Sequence, residues 1–131
     1  MSTYGIEERL PIDYDEAVEK VIATLKEEGF GVLTTIDVKA TLKAKLGADF
    51  KRYVILGACN PPLAYKALTE ENDVGLLLPC NVVVYEGEGG QGSVVAAIDP
   101  EAMLSVTGRD DLKPMAREVK AKLARAIDAC G

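Results

Sequence analysis

The sequence predicts an α+β layer fold, in which a mainly antiparallel sheet carries its helices on one face. Three observations lead there. Strand-like and helix-like segments follow in the order strand, helix, strand, strand, helix, strand, strand, helix. The apolar runs 76–86 and 93–98 are joined by a short glycine-rich segment, so they are close enough to pair antiparallel. Finally, 131 residues that are 48% hydrophobic suit one compact domain, residues 1–131, that buries a core without staples.

Each element has a local cause. Residues 3–10 read as a first strand. Asp13, three positions before Glu16, resembles a capping box and opens a helix whose inward face is Tyr14, Val18, Val21, Ile22 and Leu25, with Gly29 as its left-handed stop. Phe30, Val32, Thr34, Ile36 and Val38 alternate as a half-buried strand should, and a short lysine-rich helical turn runs from Lys39 to Leu46. A third strand spans Tyr53 to Cys59. Asn60 is a good N-cap and Pro61 a good first helical residue, so a helix follows with Leu63, Ala64, Ala67 and Leu68 inward. Leu76 to Glu86 and Ser93 to Ile98 read as two further strands. Asp99-Pro100 repeats the cap-plus-proline start of a short helix, and Met115, Val119, Leu123, Ala126 and Ile127 mark the inner face of a long terminal one.

Composition excludes whole classes of function. The formal charge of −6 would repel a phosphate polymer over most of the surface, so no nucleic-acid partner is expected. The chain has no histidine, which rules out Ser-His-Asp and Cys-His catalysis and mixed histidine zinc sites within one subunit. An odd count of three cysteines fits a reducing compartment. The segment Met1 to Leu10 lacks a basic start followed by an apolar stretch, and no apolar run approaches membrane-spanning length. A cytoplasmic protein that does not engage the membrane is the expectation.

The dipeptide Cys-Asn occurs twice, as Cys59-Asn60 and Cys80-Asn81, each time beside a proline. Cys59 immediately precedes a helix N-terminus, whose positive end favours thiolate over thiol and attracts anions. A small buried strand-end cysteine is the plainer reading, and composition does not decide between them. Pro79, inside an apolar run, cannot donate to a ladder and implies an edge, a bulge or a freed backbone that re-aims Cys80 and Asn81. Cys59 and Cys80 are close enough in sequence for a disulfide or a two-thiolate site, but a tetrahedral metal centre would also need Asp37, Asp99 or a second subunit, so neither metal nor cofactor is expected. Cys130 reads as a bystander.

Two other features read as structural. Gly87 to Gly92 fits G-x-G-x-x-G letter for letter, yet a strand follows where a phosphate site needs a helix, and the Lys-Ser/Thr of a P-loop is missing. Lys39, Lys43, Lys45, Lys51 and Arg52 surround a single acid, Asp49; this is a solvated charge run, or else a surface for a small anion or an acidic partner face. Asp37 and Asp99 each end a strand and suit helix caps; Asp37 is retained as a ligand candidate.

Taken together, several blocks resemble a known family: Gly29-Phe30 with Thr35-Ile36-Asp37-Val38, Gly57-Ala58-Cys59-Asn60-Pro61, Leu77-Leu78-Pro79-Cys80-Asn81-Val82-Val83-Val84-Tyr85-Glu86, and Ile98-Asp99-Pro100-Glu101-Ala102-Met103. The chain is similar to the bacterial and archaeal family known as domain of unknown function 302. The resemblance covers nearly the whole chain. It implies a TATA-binding-protein-like α+β fold, a curved antiparallel sheet gripping a long terminal helix, and a dimer; it implies no activity. The motif points to Cys59, Asn60, Pro61, Pro79, Cys80 and Asn81.

The expected function is a homodimeric module binding a small polar or anionic ligand at Cys59-Asn60, the following helix N-terminus and Pro79-Cys80-Asn81. The sheet's other face or an edge would take the second subunit, because the run Leu76 to Tyr85 is apolar on both sides. Two alternatives remain open at this point. One is a thiol-dependent redox or sulfur-transfer protein with Cys59 as nucleophile and Cys80 resolving it; the other is a structural dimer with buried cysteines.

Overall fold

A computed structural model describes residues 3–131, so Met1 and Ser2 of the amino-terminal segment lie outside the described residues. The strands are β1 (Gly5–Leu10), β2 (Gly31–Asp37), β3 (Tyr53–Cys59), β4 (Cys80–Glu86) and β5 (Ser93–Ile98), and the helices α1 (Tyr14–Glu27), α2 (Val38–Leu46), α3 (Pro61–Glu70), α4 (Pro100–Ser105) and α5 (Lys113–Asp128). The five strands form one open sheet in the order β1-β5-β4-β3-β2, antiparallel throughout. This is the α+β architecture that the order of elements predicted. Among the described residues no helix is long and apolar enough to cross a membrane.

Strand alternation sorts the sheet into two faces. Val54, Leu56 and Ala58 of β3, Cys80, Val82 and Val84 of β4, and Val95 and Ala97 of β5 are buried beneath the helices. Burying each valine or leucine among them stabilises the fold by about 1.5–3 kcal/mol before entropy is counted. α5 closes this face with Met115, Ala116, Val119, Leu123, Ala126 and Ile127. α1 packs beside it through Ala17, Val21 and Leu25. Ile22, expected inward, is 38% exposed, while Ala17 is fully buried. The buried stripe is rotated toward Ala17, Val21 and Leu25.

The caps formed as the sequence chemistry requires. Asp13 accepts a hydrogen bond from the Asp15 amide, Asn60 from Leu63 and Asp99 from Glu101. Gly29, at φ 87°, ends α1 while the Phe30 amide donates back to the Leu25 carbonyl. The glycine-rich segment closes the β4–β5 connection, with the Gly87 amide donating to the Gly92 carbonyl and a strand on either side. It is a hairpin loop.

Two expectations require correction. The apolar run from Leu76 is not all strand: Asn72–Leu77 forms a 3₁₀ turn, Leu76 is 87% exposed, and β4 starts only at Cys80. Pro79 is the physical reason, since it has no amide to give to the ladder and pairing starts one residue later. In β2 the alternation reverses, because a bulge at Leu33 shifts the register between Val32 and Thr34. Val32 lies on the helix-covered face opposite Ala58, whereas Thr34 and Ile36 stand on the open face opposite Gly57 and Ile55.

Candidate functional site

One end of the sheet is not filled. Between the ends of β3 and β4 and the helices above them lies a cavity of about 280 Å³. The sheet side is made by Ala58, Cys59, Asn60, Pro79 and Cys80, with Phe30 and the bulged Leu33 at the β2 margin. α3 contributes Leu63, Ala64, Ala67 and Leu68, α4 contributes Pro100, Met103 and Leu104, and α5 contributes Met115 and Val119. Val74 and Leu78 complete the wall. Register explains why the two Cys-Asn segments meet: Cys80 pairs with Ala58, the residue next to Cys59.

The lining contains no charged side chain. This chemistry differs from the polar or anionic pocket expected, and the start of α3 explains why. Its first two residues, Pro61 and Pro62, have no amide hydrogen. The next two amides are taken, Leu63 by the Asn60 side chain at 3.3 Å and Ala64 by the Asn60 carbonyl at 2.9 Å. An anion arriving there finds no free backbone donor.

Of the predicted site residues, Cys59, Asn60, Pro79 and Cys80 converge on the cavity. Three do not. Pro61 is exposed and serves as the first helical residue. Asn81 pairs with Gly57 on the open face, because alternation turns it away from Cys80. Asp37 sits opposite Val54, at the other end of the β2–β3 ladder from Cys59, and accepts from the Ala40 amide as the cap of α2. Met103, Leu33 and Pro100 escaped sequence reasoning, and Met115 and Val119 read only as core. Nothing local distinguishes a side chain that fills a core from one that borders a void.

The three cysteines are free thiols. Cys80 is buried, and desolvation, with a smaller contribution from neighbouring Cys59, pushes its pKa up to about 11. Cys130 is buried away from the site with its sulfur 3.4 Å from Thr24 Oγ1, and burial raises its pKa too. Among the described residues no group of three or more cysteine, aspartate or glutamate side chains is placed to hold a metal ion.

The basic stretch is largely engaged within the chain. Lys39 donates to the Phe50 carbonyl, Lys43 pairs with Asp49, and Arg52 bridges Asp13 and Glu86. Lys51 lies over the rings of Phe50 and Tyr85.

Fold and site together define a small open-sheet α+β protein with an apolar cavity at one end of the sheet, edged by two thiols and an asparagine. The model for the Domain of unknown function DUF302 matches residues 6–130, and the chain belongs to that family. Its structure is similar to the crystal structure of an uncharacterized conserved DUF302 protein from Bacillus stearothermophilus, with a TM-score of 0.91 and 32% identity over 99% of this chain and 100% of that one. Curated proteins give no match.

Proposed function

We propose that this protein, as a single domain over residues 1–131, binds a compact, largely apolar small molecule in the cavity between β3, β4, α3, α4 and α5. The observation that carries this reading is the cavity itself: about 280 Å³ of space walled by apolar side chains, just under the usual range for ligand sites, which suits a compact molecule. An apolar concavity with a few polar groups at its edge is the usual form of a small-molecule site. Asn60 and the Cys59 thiol supply the polar edge that would orient one heteroatom of the ligand. The thiol-exchange alternative, with Cys59 as nucleophile and Cys80 resolving it, has less support, because a resolving thiol held near pKa 11 is a poor thiolate source at neutral pH. A purely structural role leaves an unfilled cavity without a purpose.

The test uses the neutral fluorophore N-phenyl-1-naphthylamine. Saturable fluorescence enhancement with one site per chain is expected. Ala64→Phe, which projects a ring from α3 into the space, should weaken binding roughly tenfold or more, about 1.4 kcal/mol, without lowering the urea midpoint. Absence of saturable binding, or equal binding by Ala64→Phe, would overturn the reading.

A second copy of the chain is the proposed partner, seated on the open face of the sheet. Tyr53, Ile55, Val83, Tyr85, Ala96 and Ile98 stand together there, only partly buried, and Ile36 is 47% exposed. Sedimentation velocity at tens of micromolar protein should give a dimer, and Val83→Lys should give a monomer because two like charges would face each other near the contact. A monomeric wild-type protein would exclude this partner.

A further inference from the structure

The chain has three cysteines and three methionines, and four of these six residues line one cavity: Cys59, Cys80, Met103 and Met115. Packing does not require this, since leucine and valine fill apolar space as well and with better-defined rotamers. Two thiols lie on the sheet side and two thioethers on the helix side, in surroundings without a carboxylate, an amine or an imidazole. Such a donor set is soft. A divalent ion such as zinc would leave uncompensated charge in this apolar space or need two thiolates, and thioethers are poor ligands for it.

A monovalent soft cation behaves differently. One thiol releases its proton to solvent as its sulfur bonds the metal, so the thiolate charge cancels the cation and the product is neutral. The remaining sulfur donors coordinate without adding charge. An apolar lining without charged side chains does not oppose a neutral metal thiolate.

We propose that the cavity is a site for Cu(I), held by the thiols of Cys59 and Cys80 with Met103 and Met115 as thioether donors. This rests on the cavity being the functional site but goes beyond apolar binding, and the two can fail separately. If the naphthylamine probe binds and Cu(I) does not, only the metal assignment falls.

The experiment is anaerobic titration of the reduced protein against the Cu(I)–bicinchoninate complex, following loss of its colour. Wild-type protein should withdraw one Cu(I) per chain and release one proton. Cys59→Ser should weaken capture at least tenfold, and the near-isosteric pair Met103→Leu and Met115→Leu should weaken it severalfold with the fold intact. Cys130→Ser should behave as wild type. Failure to compete with bicinchoninate would overturn the proposal, as would capture unchanged in the methionine double variant or lost on substituting Cys130.

Discussion

Gly57→Ala is expected to destabilise the protein by about 2–3 kcal/mol, a large effect for one methyl group. A Cβ at this position would lie 2.8 Å from Pro79 Cγ and far inside contact distance of Thr34 Oγ1. Pro79 is held by its ring and is half-buried, so it retreats little, while Thr34, exposed on the edge strand, must rotate its hydroxyl away from its place beside Gly57. Thr34 belongs to β2 directly opposite Gly57, and Pro79 leads into β4, whose Asn81 pairs with Gly57 from the other side. Glycine is required here by the close approach of two neighbours, not by backbone conformation. The same contact fixes where Pro79 sits, and Pro79 delivers Cys80 to the cavity. Removing the threonine hydroxyl should relieve part of the clash, so Gly57→Ala with Thr34→Ala should be more stable than the sum of the two single changes predicts, by about 1 kcal/mol. Urea unfolding of the four proteins of this cycle measures the coupling. Strict additivity would mean that the strand shifts to absorb the methyl group.

Cys80 supplies the second large effect, seen in alkaline solution. Burial, with a smaller contribution from Cys59, pushes its thiol from the ordinary value near 9 up to about 11 in the folded protein. Below the ordinary value both folded and unfolded chains hold the proton, and the full stability is present. As pH rises through that value the unfolded chain loses its proton first, which favours unfolding. The loss continues until the folded thiol also ionises near pH 11. Over this window Cys80 should remove about 2–3 kcal/mol of stability. Tyr14, Tyr53 and Tyr85, raised chiefly by burial, act in the same sense, so the measurement is the difference between wild type and Cys80→Ala. Native alkylation at pH 8 gives an independent view: Cys59, half-buried at the cavity edge, should be modified before Cys80 and Cys130. Parallel stability curves for wild type and Cys80→Ala above pH 9, or early labelling of Cys80, would refute this account of its burial.

These effects converge on one end of the sheet. Cys59 and Asn60 end β3, Pro79 and Cys80 begin β4, and the bulged Leu33 stands at the β2 margin. A ladder that ends unevenly leaves a wedge of space, and the helices above it do not fill that space. The open face meanwhile presents the aromatic pair Tyr53 and Tyr85, stacked at 5.2 Å.

Much of this molecule was legible in the sequence wherever the cause is local. Asn60, Asp99 and Asp13 cap helices because their side chains reach amides two or three residues away. Tyr53–Cys59 and Ser93–Ile98 are strands because their apolar, β-branched runs end at such caps. The face of α5 follows from the spacing of Met115, Val119, Leu123 and Ile127, and the lack of histidine excludes its chemistries whatever the fold. Other features belong to the tertiary structure alone. The reversal of β2 at Leu33, the late start of β4, the turning of Asn81 away from Cys80 and the closure of the α3 N-terminus to anions depend on which strand lies opposite and which amides are already bonded. The cavity depends on still more, since Leu63, Ala67, Met103 and Met115 would read identically in a solid core. A void is the difference between the volume that the backbone encloses and the volume that its side chains fill, and that difference exists only once all the elements are packed together.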